Sequence, residues 1–428
     1  DYCYGDSLSG CERNALMEFA GIFDYDPKID AMTLDEVYAE GLPVINAYSI
    51  GNYDYNRSRG GLALLRAEIA KIHAAHSRFV FYTFPTACAK GTEFYDAGKS
   101  WAQMSERDRY ASDYTGDGMG WNFCIYEKEF GETVGKRFAR ILRETGADGY
   151  RLDVMARLTS CYNPAHHHYD GTTRSSIAPA ALGEVLLGFK RQAYEVNPES
   201  IVTVEHSGSD FVAQYHDGFF SENIIWMGDS GMWEPYRALN EYDLVFSRFI
   251  FPEVKTWIHG PADRVLALKM SLFNAVGVAC SDASMVTAIH TLEEHGDAFN
   301  SGMMPEPYVD TLTDRIFANF FPGRDKNVWT VWNRSGKTAD RPFLAVPARS
   351  DRHYVEVYAD CEVTATADGK RMLLALPLAS DAVAVIAELP RLLDVRRDGK
   401  FLEIAFKVDQ PEDCRLQIRY DRDDEQNN

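Results

Sequence analysis

Apolar residues return along this chain with two different periods, and the period changes once. Over the first three quarters, short apolar runs alternate with longer stretches in which apolar positions recur every three or four residues. Residues 42–50 (LPVINAYSI) read as a buried strand that runs into a polar and aromatic loop, 51–55. Gly60 and Gly61 open an amphipathic helix over 62–75, with Leu62, Leu65, Ile69 and Ile72 on one face. Residues 78–84 form the next strand, stopped by Pro85. Residues 134–144 are helical, and Gly146 and Gly149 fit the helix stop and the tight entry to a strand over 149–155. A helix over 176–194, a buried strand over 201–206, a strand over 242–250, a helix over 264–273 and a short strand over 276–280 follow. Short helices are predicted over 14–19 and 33–40. Strands that alternate with helices in this way predict a parallel (β/α)8 barrel of TIM type. Six of its strands can be placed, and the first is either hidden in residues 15–25 or missing.

From about Asp325 the period becomes two. Short strands are predicted over 327–332, 343–346, 354–358, 362–366, 371–376, 382–387, 391–395, 401–406 and 415–419. Asp368-Gly369 and Asp398-Gly399 stand between pairs of them as hairpin turns. So many short strands in so few residues predict an antiparallel β-sandwich. The expected organisation is a barrel over 1–322, a C-terminal sandwich over 323–420 and a polar tail over 421–428.

Composition narrows the class. A hydrophobic fraction of 46% belongs to a folded protein rather than a disordered one. The formal net charge of −20 argues against nucleic acid or an anionic membrane as partner. No apolar run is long enough for a membrane span, and no signal peptide is visible. The chain starts at Asp1, so an upstream domain is left open, as is a homo-oligomer; secreted, periplasmic and cytoplasmic locations all stay open. Eight cysteines lie scattered without C-x-x-C spacing, which argues against a zinc site, and a Cys3–Cys11 disulfide stays open. The acidic stretch at 113–118 lacks the ligand spacing of a calcium loop, and the triplet His166-His167-His168 reads as a solvated or substrate-lining loop. No metal and no cofactor are expected.

The candidate chemistry lies at two strand ends. In Tyr150-Arg151-Leu152-Asp153-Val154, alternation points Arg151 and Asp153 to one face. Glu205 ends the next strand, 201–205. Neighbouring parallel strands lie about 4.8 Å apart. Carboxylates on adjacent strand ends can therefore reach the roughly 5–5.5 Å separation that a retaining glycosidase needs. In that chemistry one acid stays ionised and attacks the anomeric carbon, while the other protonates the leaving oxygen. Arg151 would favour the ionised form of Asp153, and the apolar run before Glu205 would favour its protonated form. Trp121 and Tyr48 are candidate sugar platforms, Asp54 and His206 candidate partners of sugar hydroxyls, and Glu253 a second choice for the acid/base.

Gly149-Tyr150-Arg151-Leu152-Asp153 resembles the fourth-strand motif of the alpha-amylase superfamily of glycoside hydrolases, and Val202-Thr203-Val204-Glu205 resembles its fifth-strand motif. The resemblance implies Asp153 as nucleophile and Glu205 as acid/base, with Asp282 as the nearest match to the seventh-strand Asp that steadies the transition state. It also implies a carbohydrate substrate with α-glycosidic bonds. The family's third-strand His and its seventh-strand His-Asp pair have no clean match. The 52 residues from Asp153 to Glu205 (205 − 153 = 52) exceed the usual spacing, which marks a divergent relative. A transglycosidase with the same residues and a non-catalytic carbohydrate-binding or assembly protein on a decayed barrel are the rival expectations.

Overall fold

The computed structural model describes residues 3–4, 15–16, 50–51, 54–55, 61–74, 78–83, 85, 87–89, 98–105, 119–152, 155, 160–168, 179–205, 210–221, 246–259, 264–279, 283–398 and 401–406. Its first layer is a parallel sheet of eight strands: β1 (Cys3–Tyr4), β2 (Ala15–Leu16), β3 (Val80–Thr83), β4 (Gly149–Leu152), β5 (Ile201–Glu205), β6 (Gly218–Ser221), β7 (Lys255–His259) and β8 (Gly277–Ala279). Their spatial order is β2-β1-β8-β7-β6-β5-β4-β3. That is the cyclic order of an eight-stranded barrel, cut between β2 and β3. A pairing of β2 with β3 is not among the pairs the described residues make.

Helices lie between several consecutive strands: α1 (Gly61–Ala74) before β3, α2 (Lys128–Thr145) before β4, α3 (Pro179–Val196) before β5 and α4 (Arg264–Asn274) before β8, while α5 (Ala283–Glu294) follows β8. α2 shows why the sequence folds as it does here. Glu127 caps its start by accepting a hydrogen bond from the Phe130 N–H, and Gly146, at φ +80°, closes its end with an N–H to the Leu142 carbonyl. Phe130, Val134, Phe138, Ile141 and Leu142 repeat at helical spacing and are buried. They pack on Tyr150 and Leu152 of β4 within one apolar core. Among the described residues, no helix is long and apolar enough to cross a membrane.

Asp148 holds the sheet in register at the bottom of β4. Its N–H donates to the Phe79 carbonyl, its carboxylate accepts the Phe79 N–H at 2.7 Å, and its own carbonyl accepts the Ile201 N–H. His73 of α1 adds a contact of 2.8 Å to the same carboxylate. One residue thus ties together the starts of β3, β4 and β5. Asp217 does similar work one strand on, accepting the Val202 N–H at 2.9 Å and pairing with Lys190 of α3 at 2.6 Å.

On the face of the sheet away from the helices, Trp257 of β7 spreads over β6 and β8. A Cβ on Gly218 or on Gly277 would lie 2.2 Å from its ring, so only glycine lets that ring lie flat.

The C-terminal part is antiparallel. One sheet has the order 316–322, 327–333, 383–390, 352–356, 361–362, and a second has the order 344–347, 371–375, 364–368. Residues of both sheets, among them Ile316, Trp329, Val331, Leu344, Tyr354, Leu374 and Ile386, belong with Phe343 to one apolar cluster. A hairpin of Leu393–Asp398 with Phe401–Phe406 follows. The larger sheet turns its other face to α4 and α5, where Leu272, Ala288, Phe321, Val328, Val385 and Ala387 pack together.

Several expectations change. Residues 14–19 contain β2 rather than a helix. Residues 246–250 are a helix, not a strand: Phe246, Phe249 and Ile250 have i, i+3, i+4 spacing, which a short apolar run shares with a buried strand. β6 and β7 escaped the pattern because Gly218, Ser221, Lys255, Thr256 and His259 dilute their apolar signal. The antiparallel sheet starts at Ile316, inside the 1–322 span expected for the barrel. Residues 33–40, most of 42–50 and 415–419, the 113–118 stretch and Cys11 lie outside the described residues.

Replacing Asp148 with Ala should destabilise the fold by about 1–3 kcal/mol, because it leaves the buried Phe79 N–H without its carboxylate partner. Urea unfolding followed by circular dichroism checks this; an unchanged midpoint would remove Asp148 from its register role.

Candidate active site

Alternation along β4 separates two jobs. Tyr150 faces the helices: its ring packs 5.4 Å from Phe138 and 6.1 Å from Phe189, and its hydroxyl donates to the Phe189 carbonyl at 2.7 Å. Burial pushes that phenol far above its ordinary range, with the charge of Asp217 adding to the shift, so it stays a neutral donor. Arg151 therefore faces the other way, into the interior of the curved sheet, and it is only 2% exposed.

Paired residues in a parallel sheet point to the same side, so the register extends the assignment across strands. Arg151 pairs with Thr203, which places Thr203 and, two residues on, Glu205 on the interior face. Glu205 is 8% exposed and pairs with Phe220 of β6, which pairs with Trp257 of β7. The last described pair between β4 and β5 is Leu152 with Val204. Asp153 and Glu205 are the next residues of the two chains in sequence, and Asp153 lies outside the described residues.

The other expected site residues divide as follows. Tyr48, His206 and Asp282 lie outside the described residues. Asp282 follows β8 rather than a seventh strand, since β7 ends at His259. Asp54 belongs to a two-residue strand paired with Ile50–Gly51, and Trp121 to a strand, Met119–Asn122, paired with Ala87–Ala89. Glu253 is exposed and precedes β7 by two residues, so it stands at the end of the sheet opposite Glu205. Its expected place at a strand's C-terminal end depended on reading 242–250 as a strand, and that segment is helical where it is described.

A cavity of about 110 Å³ also lies at the opposite end, against Arg248, Lys255, Trp257 and Phe299. Burial lowers the Lys255 ammonium to about 8 and the Arg248 guanidinium to about 10. A cavity lined by two cations and placed at the strand N-termini is not where the interior acid Glu205 sits.

One cluster went unrecognised in the sequence. Ligand-type atoms of Cys124, Cys161, His166 and His168, all buried, lie within 4.8 Å of one another. Cys124 precedes the cap of α2, and the other three belong to the loop after β4. The Cys124 thiol is pushed up by burial, while its hydrogen bond to Cys161 holds the Cys161 thiol well down. Burial by itself would lower His166, but its contacts with Cys161 and the Ser100 carbonyl raise it.

No family model and no curated protein sequence matches this chain. Solved structures do. An alpha-amylase from H. orenii aligns over 80% of this chain and 86% of its own length, with a TM-score of 0.53 at 12% identity. An alpha-amylase from Lactobacillus plantarum aligns over 87% and 90%, at 0.53 and 11%. The Geobacillus thermoleovorans alpha-amylase, solved as a complex with acarbose, aligns over 89% of each chain, at 0.52 and 11%. The chain has the fold of alpha-amylase-family glycoside hydrolases. β4, which Asp153 follows in sequence, and β5, which ends on Glu205, are the fourth and fifth strands of this sheet in chain order.

Tyr150→Phe should cost about 1 kcal/mol of stability, the worth of one buried hydrogen bond, and should leave any sugar affinity unchanged because Tyr150 faces the helices. Thermal unfolding and a binding isotherm on the same variant test both halves.

Proposed function

We propose that this protein is a retaining glycoside hydrolase that cleaves α-glycosidic bonds in an oligo- or polysaccharide. The observation that carries the reading is the adjacency of β4 and β5 in a register that ends on Leu152 and Val204, one residue short of Asp153 and Glu205. Two acids at neighbouring strand ends on one interior face suit the carboxylate separation of about 5–5.5 Å that double displacement needs. Asp153 attacks the anomeric carbon and forms a glycosyl ester. Glu205 gives its proton to the departing oxygen, then takes one from the water that cleaves the ester.

Arg151 is a positioning residue. Its buried guanidinium stands two residues before Asp153 in sequence, and a cation there would favour the ionised nucleophile. Asp282, three residues beyond β8, is the third acid assigned to this rim, where it would steady positive charge at the anomeric carbon. The barrel is proposed to close by pairing of β2 with β3, and the two C-terminal sheets to form a sandwich. Trp121, Tyr48, Asp54 and His206 stay the proposed sugar contacts. Carbohydrate is the substrate class the acidic, uncharged-ligand chemistry fits.

Asp153→Asn and Glu205→Gln should each lower kcat by about 10²–10⁴ on aryl α-glycosides. Azide should restore part of the turnover of Glu205→Ala on a substrate with a good leaving group, giving a glycosyl azide. NMR of the first-formed sugar should show retained anomeric configuration. Full activity in either acid variant discards the assignment, and an inverted product discards the double displacement.

A further inference from the structure

We propose that Cys124, Cys161, His166 and His168 bind a zinc ion, and that this metal fastens the long loop before α2 to the loop after β4. The claim is independent of the glycosidase reading, because it rests on different residues.

The spacing of the four ligand atoms suits a closed tetrahedral shell. Bond lengths of about 2.3 Å to sulfur and 2.0–2.1 Å to nitrogen put a sulfur–nitrogen edge of such a tetrahedron near 3.6 Å. The Cys161 Sγ and His166 Nε2 are 3.7 Å apart, and every ligand atom of the four lies within 4.8 Å of the others. Cys124 and Cys161 are free thiols rather than a disulfide. Two thiolates and two imidazoles match the ligand set of structural zinc, and four protein ligands leave no open position for water or substrate.

The surroundings hold the ligands ready. His166 Nδ1 lies 2.5 Å from the Ser100 carbonyl, an acceptor that fixes the proton on Nδ1 and frees Nε2 for the metal. His168 is held by a backbone bridge to Glu127, the cap of α2, and its ring stands edge-on to Tyr126 at 5.8 Å. The loop after β4 is laced to residues 100–104 as well. The Tyr162 N–H donates to the Met104 carbonyl at 2.9 Å, the Gln103 side chain to the Ser160 carbonyl at 2.8 Å, and the Asn163 side chain to the Ala102 carbonyl at 2.7 Å. The metal thus joins two loops that both follow strand C-termini, β3 and β4.

Spacing hid this site. Cys124 and Cys161 stand 37 residues apart (161 − 124 = 37), with α2 and β4 between them, so no local motif appears. Only His166 and His168 of the triplet belong to the shell; His167, between them, is exposed.

The test is metal analysis of the full chain, purified under reducing conditions and incubated with zinc, then with cobalt(II). One equivalent of zinc that survives gel filtration is expected. So is a cobalt spectrum with visible d–d bands of tetrahedral cobalt and near-ultraviolet charge transfer from sulfur. Strong chelation should lower the melting temperature by roughly 5–10 °C, and added zinc should restore it. Cys161→Ser and His166→Asn should abolish stoichiometric binding, whereas Cys361→Ser, in the C-terminal sheet, should retain it. Cobalt bands without sulfur charge transfer, less than a tenth of an equivalent of zinc, or a Cys124–Cys161 disulfide found by mass spectrometry of the native chain would each overturn the proposal.

Discussion

The hydrogen bonds of Asp148 set the terms for everything above them. Its N–H, carbonyl and carboxylate bind β3 on one side and β5 on the other, so the three strands start level. A slip of one residue at that point would turn every side chain of β4 to the opposite face. Tyr150 would then meet the interior and Arg151 would be driven among Phe138 and Phe189. Because the strands start level, the pairing of β4 with β5 runs in step up to Leu152 and Val204. The shared register of β4 and β5 is thus tied to an aspartate at the far end of the sheet.

Burial of Arg151 carries weight of its own. Removing a guanidinium from water costs several kcal/mol unless an opposite charge or good acceptors stand close. An arginine that is 2% exposed on the interior of a sheet therefore marks a place where negative charge collects. Glu205 is buried on that same face, and Asp153 follows two residues after the arginine in sequence. On the same face Glu205 pairs with Phe220, and Phe220 with Trp257, whose ring rests against Gly218 and Gly277.

Long periodic segments were legible in the sequence and short mixed ones were not. α1, α3, α4 and β3 to β5 stand within a few residues of where apolar spacing put them, and α2 starts at Lys128 instead of 134, because each buries a continuous stripe or run. β6 (GFFS) and β7 (KTWIH) were invisible, since a strand lined with Gly, Ser, Lys and Thr has no apolar run to read. Gly218 is explained by the Trp257 ring and the Lys255 carbonyl beside it, which is a tertiary fact. The helix at 246–250 was mistaken for a strand for the converse reason: five residues are too few to separate period 3.6 from a buried run. In the candidate site, Arg151 and Glu205 were legible because period two fixes a face. Glu253 was misplaced because its position hung on that mistaken strand.

The Cys-His cluster shows what sequence patterns leave out most completely. Local zinc motifs are readable because a turn of chain brings its own ligands together. Here the fold itself closes the distance: the length of α2, the return along β4 and the backbone bridge between Glu127 and His168 deliver four side chains to one point. The cluster then feeds back on the fold. Glu127, the α2 cap, lies three residues past Cys124, and the segment ending at Cys161 begins at the strand that carries Arg151. A metal at that point would restrain both the start of the helix that supports β4 and the loop that leaves it. The two loops that rise from β3 and β4 would then be held to each other by metal coordination as well as by the sheet beneath them.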